Sequence, residues 1–151
     1  MNEMQTFTNS WSSHRKALVQ LVERAGDEHL PFKPWDGAMT FAELVVHIVG
    51  STHMFVSIVS DKENAADESP TVSSADELRK LVQDLTKSTQ EMLEAITEDQ
   101  LDRTVQFASM SMSGKAMLEM AKEHEIHHKG QLFTYARICG IKDLPFFVIR
   151  G

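Results

Sequence analysis

Apolar side chains recur every three to four residues along four long stretches of the chain, the spacing that gives a helix one apolar face. The first stretch runs from about Met4 to Ala25, with Phe7, Trp11, Leu18, Leu21 and Val22 in phase. The second opens at Thr40 and continues to about Ser60. Its start, Thr40-Phe-Ala-Glu43, has the form of a capping box, in which the hydroxyl accepts a first-turn N–H and the carboxylate reaches back. Ser74-Ala-Asp-Glu77 repeats that signature and opens a third helix to about Ile96, with Leu78, Leu81, Val82, Leu85, Met92 and Leu93 near one stripe. Ser113 starts a fourth, ending near Cys139 with Gly140 as its C-terminal cap.

The segments between them lack this period. GDEHLPFKPWDGAM carries two prolines and two glycines, and DKENAADESPTVS is polar and proline-containing, so both read as loops. Within residues 97–112, RTVQFASMSM alternates loosely and predicts a short extended or hairpin-like connection. Four helices with little strand signal predict an all-α four-helix bundle. A chain of 151 residues suits a single domain, taken here as residues 1–151.

Charge and composition narrow the function. The net charge is −7 and no cluster of Lys and Arg marks a phosphate-binding face, which argues against nucleic acid as a partner. One cysteine, Cys139, permits no intrachain disulfide, in keeping with a reducing cytoplasm. The N-terminal MNEMQTFTNSW lacks a basic segment followed by an apolar run, so no signal peptide is expected. The most apolar stretch, residues 41–60, includes Glu43, His47, His53 and several hydroxyls, a polar load that argues against a membrane span. These features predict a soluble cytoplasmic protein.

The candidate chemistry lies in KEHEIHHKGQLF, residues 122–133, which holds three of the seven histidines. At about 100° per residue, His124 and His128 fall near the centre of the stripe formed by Met117, Met120, Ala121, Tyr135 and Cys139. Lys115, Glu119, Lys122 and Lys129 fall on the opposite side, and His127 falls toward the edge beside Glu123. On the second helix His47 shares a bundle-facing stripe with Leu44, Ser51, Met54 and Ile58, whereas His53 groups with Glu43 and Ser57 on an expected solvent face. His14 and His29, in polar company, are expected to be solvated. His47, His124 and His128 are thus expected to meet between two helices. Three imidazoles leave a coordination position open, the arrangement of a working metal site. Two alternatives stand beside this one: His127 can replace His128 through the i,i+3 pair with His124, or the inward histidines are hydrogen-bonded core residues that hold no ion. Glu123 and Glu125 read first as helix-surface charges. Glu125 and Gln131 are also the candidates for a catalytic or substrate-orienting role.

His124-Glu125-Ile126-His127-His128 satisfies the zinc-protease pattern HExxH, but its context does not. The 23 residues after His128 contain no His and no Glu, and the extended pattern fails at Gln131 and Thr134. No phosphate-binding loop, dinucleotide fingerprint or serine-nucleophile elbow is present, and Cys139 reads as a buried apolar residue.

HEIHHKGQLFTYARICG resembles the last-helix signature of the DinB-like family, also called the YfiT-like metal-dependent hydrolases, and PWDGAMTFAELVVHIVGSTHMF resembles that family's second-helix segment. The resemblance covers most of the chain. It implies an up-down-down-up bundle, commonly a homodimer, with one divalent metal per chain, zinc or nickel, on three histidines. The matching positions are His47, His124 and His128. It also implies a small-molecule substrate, since relatives include hydrolases, thiol transferases that join bacillithiol to electrophiles, and a mycothiol-dependent isomerase. The expected function is therefore hydrolysis or low-molecular-weight-thiol S-transfer. The alternative is a stress-response protein that binds metal or a small ligand without turnover.

Overall fold

A computed structural model describes residues 1–62 and 70–151. Its elements in chain order are α1 (Glu3–Glu23), a single 3-10 turn (Asp27–His29), α2 (Phe41–Ser60), α3 (Ala75–Ala95), the short α4 (Glu98–Asp102), strands β1 (Thr104–Phe107) and β2 (Met110–Ser113), and α5 (Gly114–Ile138). The four long helices match the four periodic stretches. The irregular residues 97–112 resolve into α4 and an antiparallel hairpin that pairs Thr104 with Ser113 and Phe107 with Met110. The loop expected over residues 61–73 lies in part outside the described residues, at 63–69.

Local chemistry sets the helix starts. At α2, Thr40 Oγ1 accepts from Glu43 N at 3.1 Å and Glu43 Oε1 accepts from Thr40 N at 2.8 Å, so the capping box is complete. At α3 only half of it forms. Ser74 Oγ accepts from Glu77 N, but the Glu77 carboxylate turns to Ser73 and takes both its N–H and its hydroxyl. The neighbouring serine, one residue upstream, offers two donors where the cap offers one.

Cross-helix contacts fix the topology. His53 meets Ser88 and Ser57 meets Met92, a constant offset along rising numbers, so α2 and α3 run parallel. Arg15 meets Thr86 while Arg79 reaches the Ala25 carbonyl, so α1 and α3 are antiparallel. Ser10 meets Lys122 and His14 meets Lys129, so α1 and α5 are parallel. Thr52 meets Glu125 and Tyr135 meets Met39, so α2 and α5 are antiparallel. The bundle is therefore up-down-down-up, in the order α1, α2, α3, α5.

The core forms two apolar clusters. One holds the later half of α1, the start of α2 and the ends of α3 and α5 nearest them, including Leu18, Leu21, Leu44, Ile48, Leu78 and Leu132. The other gathers Trp11, Phe55, Leu93, Met117 and Leu118 toward the opposite end. Buried polar residues lie between them along the helices: Arg15, Thr52, Thr89 and Glu125 are each at most 1% exposed. Helix α2 is long and apolar enough to cross a membrane, but most of its surface is buried in the bundle. The tail Leu144–Ile149 folds back onto its own bundle, with Val148 buried and Ile149 N donating to the Ser13 carbonyl at 2.9 Å. Phe146 and Phe147 point outward.

Candidate metal centre

Helices α2 and α5, which pack extensively on one another, bring His47, His124 and His128 together. One ring nitrogen from each lies within 4.8 Å of the others. Ring centroids are 5.0 Å apart for His47 and His124, 4.8 Å for His47 and His128, and 4.4 Å for His124 and His128. All three are half-buried, so the cluster opens at the rim of the bundle. His127 is exposed, its ring 4.7 Å from that of His128 and outside the group of three.

The way the helices present these residues differs from the expectation. The buried line of α5 runs through Leu118, Ala121, Glu125, Lys129, Leu132 and Ala136. His124 and His128 stand about a quarter-turn to one side of it. On α2, likewise, His47, Ser51, Met54 and Ile58 form the partly exposed edge, while Val45, Val49, Thr52 and Val56 face the interior. Apolar counting mislocates the α5 face because two of its innermost residues, Glu125 and Lys129, are charged.

Glu125 is not a surface charge, as the sequence suggested, but fully buried. Arg15 grips it through two nitrogens, Nε to Oε2 at 2.8 Å and Nη2 to Oε1 at 2.7 Å. Trp11 Nε1 donates at 3.0 Å and Thr52 Oγ1 at 2.8 Å, both to Oε1. Burial opposes ionisation, but the Arg15 charge and the hydrogen bonds from Arg15, Thr52 and Trp11 outweigh it and hold the carboxyl below its usual range. Glu125 thus joins α1, α2 and α5 between the two ligand candidates of α5. Arg15, Trp11 and Thr52 escaped the sequence reading. Their signal was present, since Arg15 is four residues after Trp11 and three before Leu18, in phase with the apolar face of α1.

Four further residues depart from expectation. Lys129, assigned to the outer face, is 2% exposed. Its Nζ donates to His14 Nδ1 at 2.8 Å and to the Phe147 carbonyl, and burial, partly offset by Glu125, pushes its pKa down to about 8. His14, expected to be solvated, is that partner and is half-buried. His29 is also half-buried, with Nδ1 accepting from Gly26 N. His53 is buried, with Nε2 3.0 Å from Ser88 Oγ, because parallel α3 covers the face of α2 read as solvent-facing.

The chemistry of the three histidines fits a transition-metal ion. His124 Nδ1 is buried with no hydrogen-bond partner among the described residues. A buried ring nitrogen of that kind is costly unless something partners it. Burial, then the neighbouring His128 and His47, push the His124 pKa down to about 4; burial also lowers that of His47. Both rings are therefore neutral ligands at neutral pH. Gln131 Oε1 lies 2.7 Å from His128 Nδ1, and as an acceptor it fixes the proton there and frees Nε2 to ligate. Replacing Gln131 with Ala is expected to weaken metal affinity about tenfold, measured by competition with a chromogenic chelator.

The depressed pKa has a second consequence. Unfolded His124 takes a proton near pH 6.5, whereas folded His124 resists it to about pH 4. The unfolded state thus binds more protons in that interval, and the metal-free protein loses stability as pH falls through it. Urea unfolding at pH 7 and pH 5 should show this loss, and His124→Gln should reduce it.

Residues 1–150 match the DinB family. The chain belongs to the DinB family. The uncharacterized DinB relative YjoA of Bacillus subtilis strain 168 is 36% identical over 141 residues, spanning 91% of this chain and 92% of that protein. The crystal structure of YjoA superposes with a TM-score of 0.84 at 34% identity, covering 97% of this chain and 99% of that one. A DinB-like protein from Bacillus cereus ATCC 10987 shares the fold, with a TM-score of 0.83 at 22% identity over 94% of this chain and 95% of that one.

Proposed function

We propose that this DinB protein is a metal-dependent S-transferase that joins a low-molecular-weight thiol to an electrophile at His47, His124 and His128. The observation that carries this reading is the convergence of three imidazoles from two helices at a half-open rim. When bound there, a zinc or nickel ion supplies acidification of a thiol or water at its remaining position.

The surrounding residues favour the thiol. Water as nucleophile profits from a carboxylate that can take its proton. Glu125, next in sequence to His124, has both oxygens committed to Arg15, Trp11 and Thr52. It serves this reading as a fixed anchor, in place of the catalytic role considered for it from sequence. Gln131 holds the His128 ring, an orienting role. A thiol ionises far more readily than water and can lose its proton to solvent at the open rim. In the transfer the sulfur–carbon bond forms as the bond from carbon to the leaving group breaks, and the leaving group departs with that electron pair.

The test is turnover of 1-chloro-2,4-dinitrobenzene with bacillithiol or cysteine by zinc- and nickel-loaded protein. Thioether should accumulate well above the metal-free rate, and His47→Ala should abolish the excess. Equal rates with and without metal would refute S-transfer. Turnover of a nitrophenyl ester without thiol would instead assign water as the nucleophile.

A further inference from the structure

We propose that Thr52 is a positioning residue for the metal centre: its hydroxyl, bonded to Glu125, fixes the register of α2 against α5 and with it the spacing of His47 from His124 and His128. The inference rests on the metal reading of these three histidines and is independent of the nucleophile that the metal serves.

The three imidazoles come from two antiparallel helices, so the separations of His47 from the other two depend on how α2 sits along α5. A slide of one residue moves a side chain by about 1.5 Å. Metal–nitrogen distances tolerate only about 0.2 Å. Apolar packing holds the helices together but is non-directional, and it defines the register less sharply than a hydrogen bond, which demands a narrow range of length and angle. Thr52 supplies such a bond, its Oγ1 donating to Glu125 Oε1 at 2.8 Å. Both residues are buried, so water does not stand in for either. Thr52 lies five residues after His47, and Glu125 lies one after His124 and three before His128. The bond therefore sits within about a turn and a half of every ligand candidate.

The acceptor is itself held still. Arg15 and Trp11 grip the Glu125 carboxylate from α1, and of its donors among the described residues Thr52 is the one on α2. Branching at Cβ restricts the χ1 of threonine and so helps to aim the hydroxyl. The imidazoles need this alignment unequally. Gln131 holds the ring of His128. His124 Nδ1 has no hydrogen-bond partner among the described residues, and His47 Nδ1 has a single long contact there, with Ser51 Oγ. These two rings, one on each helix, take their places from the two backbones that the Thr52–Glu125 bond aligns.

The test is cobalt(II) binding to the full chain, with Kd read by competition with a chelator and ligand geometry read by the visible d–d bands. Thr52→Val removes the hydroxyl at nearly constant volume. It should weaken Kd about tenfold and shift the bands. Thr52→Ser keeps the hydroxyl and should restore both to those of the wild type. Thr89→Val is the control: this threonine of α3 is also buried, but its hydroxyl has no partner among the described residues, so its loss should leave Kd and bands unchanged. Thr52→Ala removes the same hydroxyl and carries the test if the valine variant fails to fold. Wild-type Kd and bands without the Thr52 hydroxyl overturn the positioning role and leave the metal centre standing. Failure of Thr52→Ser to restore them, or an equal loss in Thr89→Val, overturns it as well. No cobalt bound by the wild type overturns the metal reading and this inference with it.

Discussion

Replacing Arg15 with Met should destabilise the protein by about 3–5 kcal/mol, because it strands the Glu125 carboxylate in the core. Arg15 is 1% exposed and Glu125 is fully buried, so water cannot take over the lost contacts. Trp11 and Thr52 still donate to Oε1, but Oε2 loses its Arg15 donor and the positive charge is gone. Glu125 then ionises less readily, and its pKa should rise toward neutrality. For a chain of this size the melting temperature should drop on the order of 10 °C. The double variant Arg15→Met/Glu125→Leu should recover much of the loss, since removing both partners avoids an uncompensated buried charge. Thermal unfolding of both variants tests the argument. A single variant as stable as the wild type would show that the pair contributes nothing.

The second large effect concerns the metal. His47→Ala should take a bound divalent ion from about one per chain to near none, while changing the fold little. His47 lies on the partly exposed edge of α2 and, among the described residues, its Nδ1 has a single long hydrogen-bond contact, 3.5 Å, with Ser51 Oγ. His128→Ala should match it. His127→Ala should keep the ion, because that ring is exposed and outside the cluster. Elemental analysis of protein purified without added metal or affinity tag decides this. Retention in His128→Ala with loss in His127→Ala would move the ligand by one residue.

The three residues of that cluster were legible in the sequence for a simple reason. Helical period puts His124 and His128 one turn apart whatever the exact rotation of α5, and His47 shares an edge with Ser51 and Met54. The rotation itself was not legible. A hydrophobic period places apolar residues inside and leaves charges outside, so it cannot foresee Arg15 and Glu125 entering the core as a pair from sequence positions 110 apart. Nor could it foresee Lys129 inside, which depends on His14 and on a carbonyl of the tail. The burial of His53 follows from α2 and α3 running parallel, a feature of topology that no single helix encodes. The hairpin of β1 and β2 was visible as alternation, but the short α4 before it was not, because five residues span too few turns to show a period.

The joint at Glu125 also bears on how the chain matures during synthesis. Helices α1, α2 and α3 emerge first, carrying Arg15, Thr52 and His47, but neither the counter-charge nor the other two imidazoles exist until α5 has been made. A nascent chain that closed early would have to bury Arg15 unpaired, a costly state. Such a cost would delay closure until α5 arrives, and the segment that neutralises Arg15 is the one that delivers His124 and His128. Metal loading would then report that α5 has been synthesised, and fragments ending before α5 should be met by chaperones and proteases as open, metal-free chains.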